Sequence, residues 1–295
     1  GLLQGGVAGG QFLDLLFALP GQLGEVLLGL RGLSARHEDL AQALAGKYEI
    51  TGFEKSEEAL KSLKPSLTKK IRLAGSMEQL VEDSTTIIVA TKPAQVTPVV
   101  EAIPDHRLVI SIAAGVSLMV IDAARSANGP TIRAMPNTPM MIRRGITAFT
   151  GNKFCTEEDI AVVRELFENT GEALYLDQEK LLHAVTGLSG SGPAYVYLFL
   201  QNLEDAGVLL GLTRADSRKL AISTVLGSAE LVRQSHVAPQ QLVHDVTSPG
   251  GTTAVALKSL HRHNFPNAVQ EAVTAATRRS VELALEAKAA SRDAD

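Results

Sequence analysis

Thr85-Thr86-Ile87-Ile88-Val89-Ala90-Thr91-Lys92-Pro93 leads through the helical stretch Val96–Ile103 to Arg107-Leu108-Val109-Ile110-Ser111-Ile112-Ala113-Ala114-Gly115. This strand, helix, strand succession decides the fold of the first half of the chain. Outward from it, Tyr48–Glu54 and Thr131–Met135 read as further strands, and Ser56–Leu63 and Ser117–Ser126 as further helices. Strands alternating with helices of this length predict an α/β, doubly wound sheet of mostly parallel strands. Such sheets bind ligands outside the carboxyl ends of their strands. Three segments of small residues fall there: Ala90-Thr91-Lys92-Pro93, Ser111-Ile112-Ala113-Ala114-Gly115 and Met135-Pro136-Asn137-Thr138-Pro139. Each alone reads equally as an ordinary strand-to-helix turn; the three together point to a bound ligand.

Upstream, Gly1–Gly10 is half glycine and is set outside the fold. From Gln11 the pattern reads as a strand over Phe12–Leu19, a turn at Pro20-Gly21-Gln22-Leu23-Gly24, and a helix over Glu25–Leu33. That is where a dinucleotide fingerprint belongs. Gly21 and Gly24 align with the second and third glycines of G-x-G-x-x-G, so the backbone of Gly21, Gln22, Leu23 and Gly24 is a candidate pyrophosphate contact. Leu19 stands where the first glycine makes the tight turn. At the end of the next strand, Glu54 suits the free ribose hydroxyls of NAD, whereas Lys55 and Ser56 suit the 2′-phosphate of NADP. Ser56, followed by Glu57 and Glu58, is equally a helix N-cap.

The second half is helical. Ala194–Leu212, Ala215–Gln234 and Asn267–Ala290 carry apolar residues at three- and four-residue spacing, and the first is apolar around too much of its circumference for a surface helix. Two stretches interrupt them. Ala184-Val185-Thr186-Gly187-Leu188-Ser189-Gly190-Ser191-Gly192-Pro193-Ala194-Tyr195 packs small residues into a turn before a long helix. Asp245-Val246-Thr247-Ser248-Pro249-Gly250-Gly251-Thr252-Thr253 runs into the periodic Ala254–Leu260. Pro249 fixes its φ, both glycines admit positive φ, and Thr252 and Thr253 present N–H groups and hydroxyls at a helix N-terminus. A small carboxylate can dock on such a backbone without an arginine. Alone, the stretch is a turn and a helix cap.

Together, VTGLSGSGPAY and DVTSPGGTT resemble the pyrroline-5-carboxylate reductase family over roughly Glu179–Leu283. The resemblance implies a Rossmann-like dinucleotide domain over 11–174 and an all-α dimerisation and substrate domain over 175–290. It implies NADPH (or NADH) as cofactor and reduction of a cyclic imino acid to L-proline, the last step of proline biosynthesis. By the same resemblance, Ala90, Thr91, Lys92, Pro93, Ile112, Ala113, Ala114, Asn137 and Asp245 contact the cofactor. Ser248, Gly250, Gly251 and Thr252 hold the substrate carboxylate, and Thr253 hydrogen-bonds the ring nitrogen as the catalytic residue. Glu179 matches a family acid near the substrate; it is equally a solvated residue at a helix start. An intertwined homodimer is implied, with a higher homo-oligomer built from dimers.

The 45% hydrophobic content over 295 residues supports a sizeable core and two domains. A net charge of −4 gives no basic footprint for nucleic acid. No apolar run reaches the ~20 residues of a membrane span. The single Cys155 excludes an intrachain disulfide framework and suits a reducing compartment such as the cytoplasm, and Lys153–Asp159 reads as a strand end running into a capped helix. Two rival readings stand beside the reductase. A β-hydroxyacid dehydrogenase needs a catalytic lysine on the long helix, and Ala194–Gly207 contains none. A non-catalytic dimeric binding protein with an impaired cofactor turn is favoured by Leu19.

Overall fold

The computed structural model describes residues 15–16, 26–29, 48–54, 69, 71–91, 93–125 and 128–292. The chain divides into two compact units, 1–190 with 276–295, and 191–275.

Among the described residues, the first unit is built on a nine-stranded sheet. Its strands are β1 (Leu15–Leu16), β2 (Val26–Gly29), β3 (Ile50–Glu54), β4 (Arg72–Leu73), β5 (Thr86–Val89), β6 (Leu108–Ser111), β7 (Thr131–Pro136), β8 (Gly145–Gly151) and β9 (Gly171–Tyr175). The order across the sheet is β1-β3-β2-β5-β6-β7-β8-β9, with β4 beside β3. From β3 to β7 the pairing is parallel; β8 runs antiparallel to β7 and parallel to β9. The chain therefore leaves β2 for β3 on one side and returns to β5 on the other, which puts the topological switch point between the carboxyl ends of Gly29 and Val89, partners in register.

Side-chain alternation explains why this sheet is covered twice. Along β5, β6 and the residues just after them, Ile88, Ala90, Leu108, Ile110 and Ile112 join one buried cluster, whereas Ile87, Val89 and Val109 join the other. The first cluster is closed by Val163, Leu166 and Phe167 of α4 (Glu157–Glu168). The second is closed by α1 (Met77–Glu82), α2 (Pro93–Val100) and α3 (Leu118–Ala124) through Leu80, Val96, Val100 and Ile121. The α4 start is the capping box expected from sequence: Thr156 Oγ1 accepts from the Asp159 N–H at 3.1 Å, and Asp159 returns a carboxylate to the Thr156 N–H at 2.8 Å.

One sequence expectation is overturned. Val26–Gly29 is not helical but a central strand, paired on both sides with β3 and β5. Its valine and leucines satisfy helical and strand periodicity alike, and two-sided pairing decides for the strand. The strand, turn, helix premise of the Gly21–Gly24 fingerprint therefore fails at Val26–Gly29. Gly21, Gln22, Leu23 and Gly24 themselves, like Lys55, Ser56 and Lys92, lie outside the described residues.

The remaining helices are α5 (Leu181–Val185), continued by a π turn over Thr186–Gly190, then α6 (Gly192–Leu209), α7 (Arg214–Ser235), α8 (Pro239–Asp245), α9 (Thr252–Arg262) and α10 (Phe265–Arg292). Within the second unit, α6 and α7 form an antiparallel pair. Gly207 faces Ser217, whose hydroxyl donates to the Glu204 carbonyl at 2.7 Å; a larger residue than glycine would strike that hydroxyl. Much of the apolar surface of this pair is exposed, with Leu209, Leu210 and Leu226 at 87%, 85% and 67%.

Candidate active site

Among the described residues, the first unit places Ala90, Thr91, Pro93, Ile112, Ala113, Ala114 and Asn137 at the carboxyl edge of its sheet. Ala90 and Thr91 follow β5, next to the switch point, and Pro93 opens α2. Ala90 is core, whereas the buried Thr91 hydroxyl has no hydrogen-bond partner among the described residues. After β6, the Ile112 N–H donates to the Val89 carbonyl at 3.0 Å, which ties this loop to β5. Ile112 and Ala113 are buried, whereas Ala114 is exposed. Gly115 holds φ +81° with Leu283 packed against it. Asn137, at the end of β7, accepts from the Ile146 N–H at 2.9 Å and so fixes the β7–β8 connection.

These residues fit a dinucleotide. An unpaired buried hydroxyl costs free energy unless something binds it, and Thr91 holds one at the switch point. Thr138 and Ser189, neither singled out from sequence, hold two more in the Asn137 and Gly187–Gly190 segments.

Glu179 is engaged within the same unit. Its Oε1 accepts from Arg133 Nη1 at 2.8 Å and from the Leu118 N–H at 2.8 Å. Arg133, with only 5% of its side chain exposed, is the residue that sequence reading missed. The signal was present: an arginine inside an apolar strand demands a buried acceptor. His183 Nδ1 lies 2.9 Å from the Ser280 hydroxyl. Burial first, and then the Arg133 charge, hold its imidazole below the usual histidine range.

In the second unit the Asp245–Thr253 stretch forms a compact turn. Gly250 takes φ +72°, the Gly251 N–H donates to the Ser248 carbonyl at 3.0 Å, and Gly251 is the N-cap of α9. Gly251 has φ −74°, so only one of the two glycines uses the left-handed region. The second is small for another reason: a β-carbon there would overlap the Ser248 Oγ. Thr252 and Thr253 are the first two residues of α9, whose opening N–H groups have no intrahelical acceptor. Asp245 is exposed and accepts from Gln241 Nε2 at 2.7 Å; His244 lies 3.6 Å from it and is also exposed.

Residues 179–283 match the family model for pyrroline-5-carboxylate reductase dimerisation, and residues 32–115 match that for coenzyme F420-dependent NADP oxidoreductases. The pyrroline-5-carboxylate reductase of a Synechocystis strain is 42% identical over 219 residues, covering 73% of this chain and 81% of that protein. The chain belongs to the pyrroline-5-carboxylate reductase family. A second member of this family, from Pseudomonas aeruginosa, is 33% identical over 258 residues, covering 83% of this chain and 94% of its own. Among solved structures, the Plasmodium falciparum pyrroline carboxylate reductase with NADP bound superposes with a TM-score of 0.76 at 32% identity, covering 86% of this chain and 96% of that one.

Proposed function

We propose that this reductase reduces pyrroline-5-carboxylate to L-proline with NADPH, or with NADH in its place. The observation that carries the reading is the Ser248–Thr253 turn. It combines a left-handed Gly250, a close-packed Ser248–Gly251 pair and the opening N–H groups of a helix, the backbone form of a carboxylate site. Family membership supports the rest, including the last step of proline biosynthesis as its setting.

Reduction of a C=N bond needs a hydride, a proton on nitrogen and a fixed approach; the reduced nicotinamide, when bound, supplies the hydride. The chain does the remaining work by positioning. Ser248 and the Gly250, Gly251 and Thr252 backbone hold the substrate carboxylate, and the Thr253 hydroxyl accepts the N–H of the protonated imine. No buried acid–base pair is needed if the imine arrives protonated. Thr91, Pro93, Ala114 and Asn137 would hold the dinucleotide at the sheet edge, with Ile112 and Ala113 shaping the loop. Lys92, Lys55 and Ser56 are candidates for its phosphates, and Asp245 for a further contact with it.

The functional division follows the proposed domains, with 11–174 for the dinucleotide and 175–290 for dimerisation and substrate. A homodimer is supported by the dimerisation model and by the exposed leucines of α6 and α7. We extend this to a higher assembly of dimers. A cytoplasmic setting is supported by the free Cys155. No helix among the described residues is long and apolar enough to cross a membrane.

The test is oxidation of NADPH and NADH at saturating pyrroline-5-carboxylate, with direct titration of each dinucleotide. Turnover ranks the cofactors. Carboxylate binding without dinucleotide binding would overturn the enzymatic reading in favour of a dimeric binding protein.

A further inference from the structure

We propose that Glu179 is a positioning residue for the dinucleotide, acting through the loop between β6 and α3, and not a contact of the imine. The proposal rests on the reductase reading above and names how one of its cofactor loops is held.

The Ile112–Ser117 loop is fastened at three points in the first unit. Its entry is held by the Ile112 N–H on the Val89 carbonyl at 3.0 Å. Its middle, at Gly115, is backed by Leu283 of α10: an added β-carbon would lie 3.3 Å from the Leu283 Cβ. Its exit is held by Glu179, whose Oε1 takes the Leu118 N–H at 2.8 Å. The same oxygen neutralises Arg133 at 2.8 Å. Arg133 rises from the middle of β7, the strand that leads directly into Asn137, so one carboxylate fixes the exit of one cofactor segment to the strand that delivers another.

Charge makes this arrangement specific. Arg133 is almost completely buried, whereas 29% of the Glu179 side chain is exposed. A buried guanidinium without its counter-charge would be strongly disfavoured, so Glu179 is held by the need to neutralise it. That commitment leaves its Oε1 doubly occupied as an acceptor, from a buried cation and from a backbone N–H. A group so employed orders the loop before any ligand arrives, and a preordered loop lowers the entropy lost on binding.

The experiment compares Glu179→Ala and Glu179→Gln with the unmodified full-length protein. Three quantities are read: the dinucleotide Kd from nicotinamide fluorescence, the separate KM values for dinucleotide and imine, and amide exchange of the 112–118 segment without ligand. Glu179→Ala is expected to raise the dinucleotide Kd about tenfold, the size of a lost charge-assisted hydrogen bond, to leave the imine KM within about twofold, and to speed Leu118 exchange. Glu179→Gln, which keeps a neutral acceptor, is expected to fall between. If Glu179→Ala does not fold, the Gln variant answers the same question. A raised imine KM with unchanged dinucleotide Kd and unchanged exchange would overturn the proposal and return Glu179 to the substrate. Unmodified protein that neither binds dinucleotide nor turns over would sink the reductase reading instead.

Discussion

Gly251 and Ser248 close the α9 turn on each other: the Gly251 N–H donates to the Ser248 carbonyl at 3.0 Å, and the Ser248 hydroxyl occupies the space a Gly251 side chain would need. Gly250 beside them is glycine for backbone conformation, at φ +72° with open space around it. The two substitutions should therefore fail differently. Gly250→Ala should cost about 1–2 kcal/mol of stability from left-handed strain, read as a lowered Tm. Gly251→Ala should displace Ser248 and raise the imine KM about tenfold or more through misplacement of the carboxylate. Matching Tm and KM profiles for both variants would show that the glycines do one job, not two.

Thr253 stands second in α9 and is half-buried, in the first turn of the helix whose N–H groups we propose for the carboxylate. Thr253→Ala should lower kcat/KM by the equivalent of about 1–3 kcal/mol, with dinucleotide Kd unchanged, because one hydrogen bond to the reacting ring is lost. Thr253→Ser should recover most of the loss. An unchanged kcat/KM in Thr253→Ala removes the residue from the chemistry.

The parts legible in sequence were those fixed by local rules. The succession of strand, helix and strand from Thr85 to Gly115 marked a doubly wound sheet, and Lys153–Asp159 marked a capped helix start. The Ser248–Thr253 turn was legible because Pro, Gly and a helix start carry their geometry with them. The role of Val26–Gly29 was not, since a short apolar run satisfies both periods and only its pairing with β3 and β5 makes it a strand. The Glu179–Arg133 pair is separated by 46 residues, and no local pattern encodes such a partner. Arg133 in an apolar strand announced that a carboxylate was needed without saying which.

Arg125 illustrates a buried cation held by carbonyls without a direct carboxylate contact, its Nε left without a hydrogen-bond partner among the described residues. With 2% exposure, it donates through Nη1 to the Pro130 carbonyl and Thr131 Oγ1, both at 2.9 Å, and through Nη2 to the Pro104 and Arg107 carbonyls at 3.1 and 2.7 Å. Burial lowers its pKa from the usual arginine value, partly offset by Asp105 and Asp122. Arg125→Met should cost about 3 kcal/mol or more, since several carbonyls lose their donor together. Gly129→Ala should approach the same loss, because a β-carbon at Gly129 would strike the guanidinium. Denaturant unfolding of both variants checks this; a loss under about 1 kcal/mol in Arg125→Met would mean that water replaces the guanidinium at little cost.

Cys155 should be chemically quiet and should make stability depend on alkaline pH. Its Sγ–H donates to the Thr131 carbonyl at 3.2 Å, and burial pushes the thiol up to about 11, against smaller lowering by its Thr131 and Asn152 hydrogen bonds. Between an unfolded thiol's pKa, about 8.5, and 11 the native state keeps a proton that the unfolded chain releases, so stability must fall as pH rises through that window and is fully present below it. Cys155→Ser keeps a donor to Thr131 and removes the titration. The difference in Tm between the two proteins should therefore shift against the native cysteine from about pH 9 upward. At neutral pH the native thiol should resist a disulfide reagent until the protein is unfolded. Parallel Tm profiles from pH 8 to 11, or rapid labelling of the native protein at pH 7, would place the thiol at the surface instead of against β7.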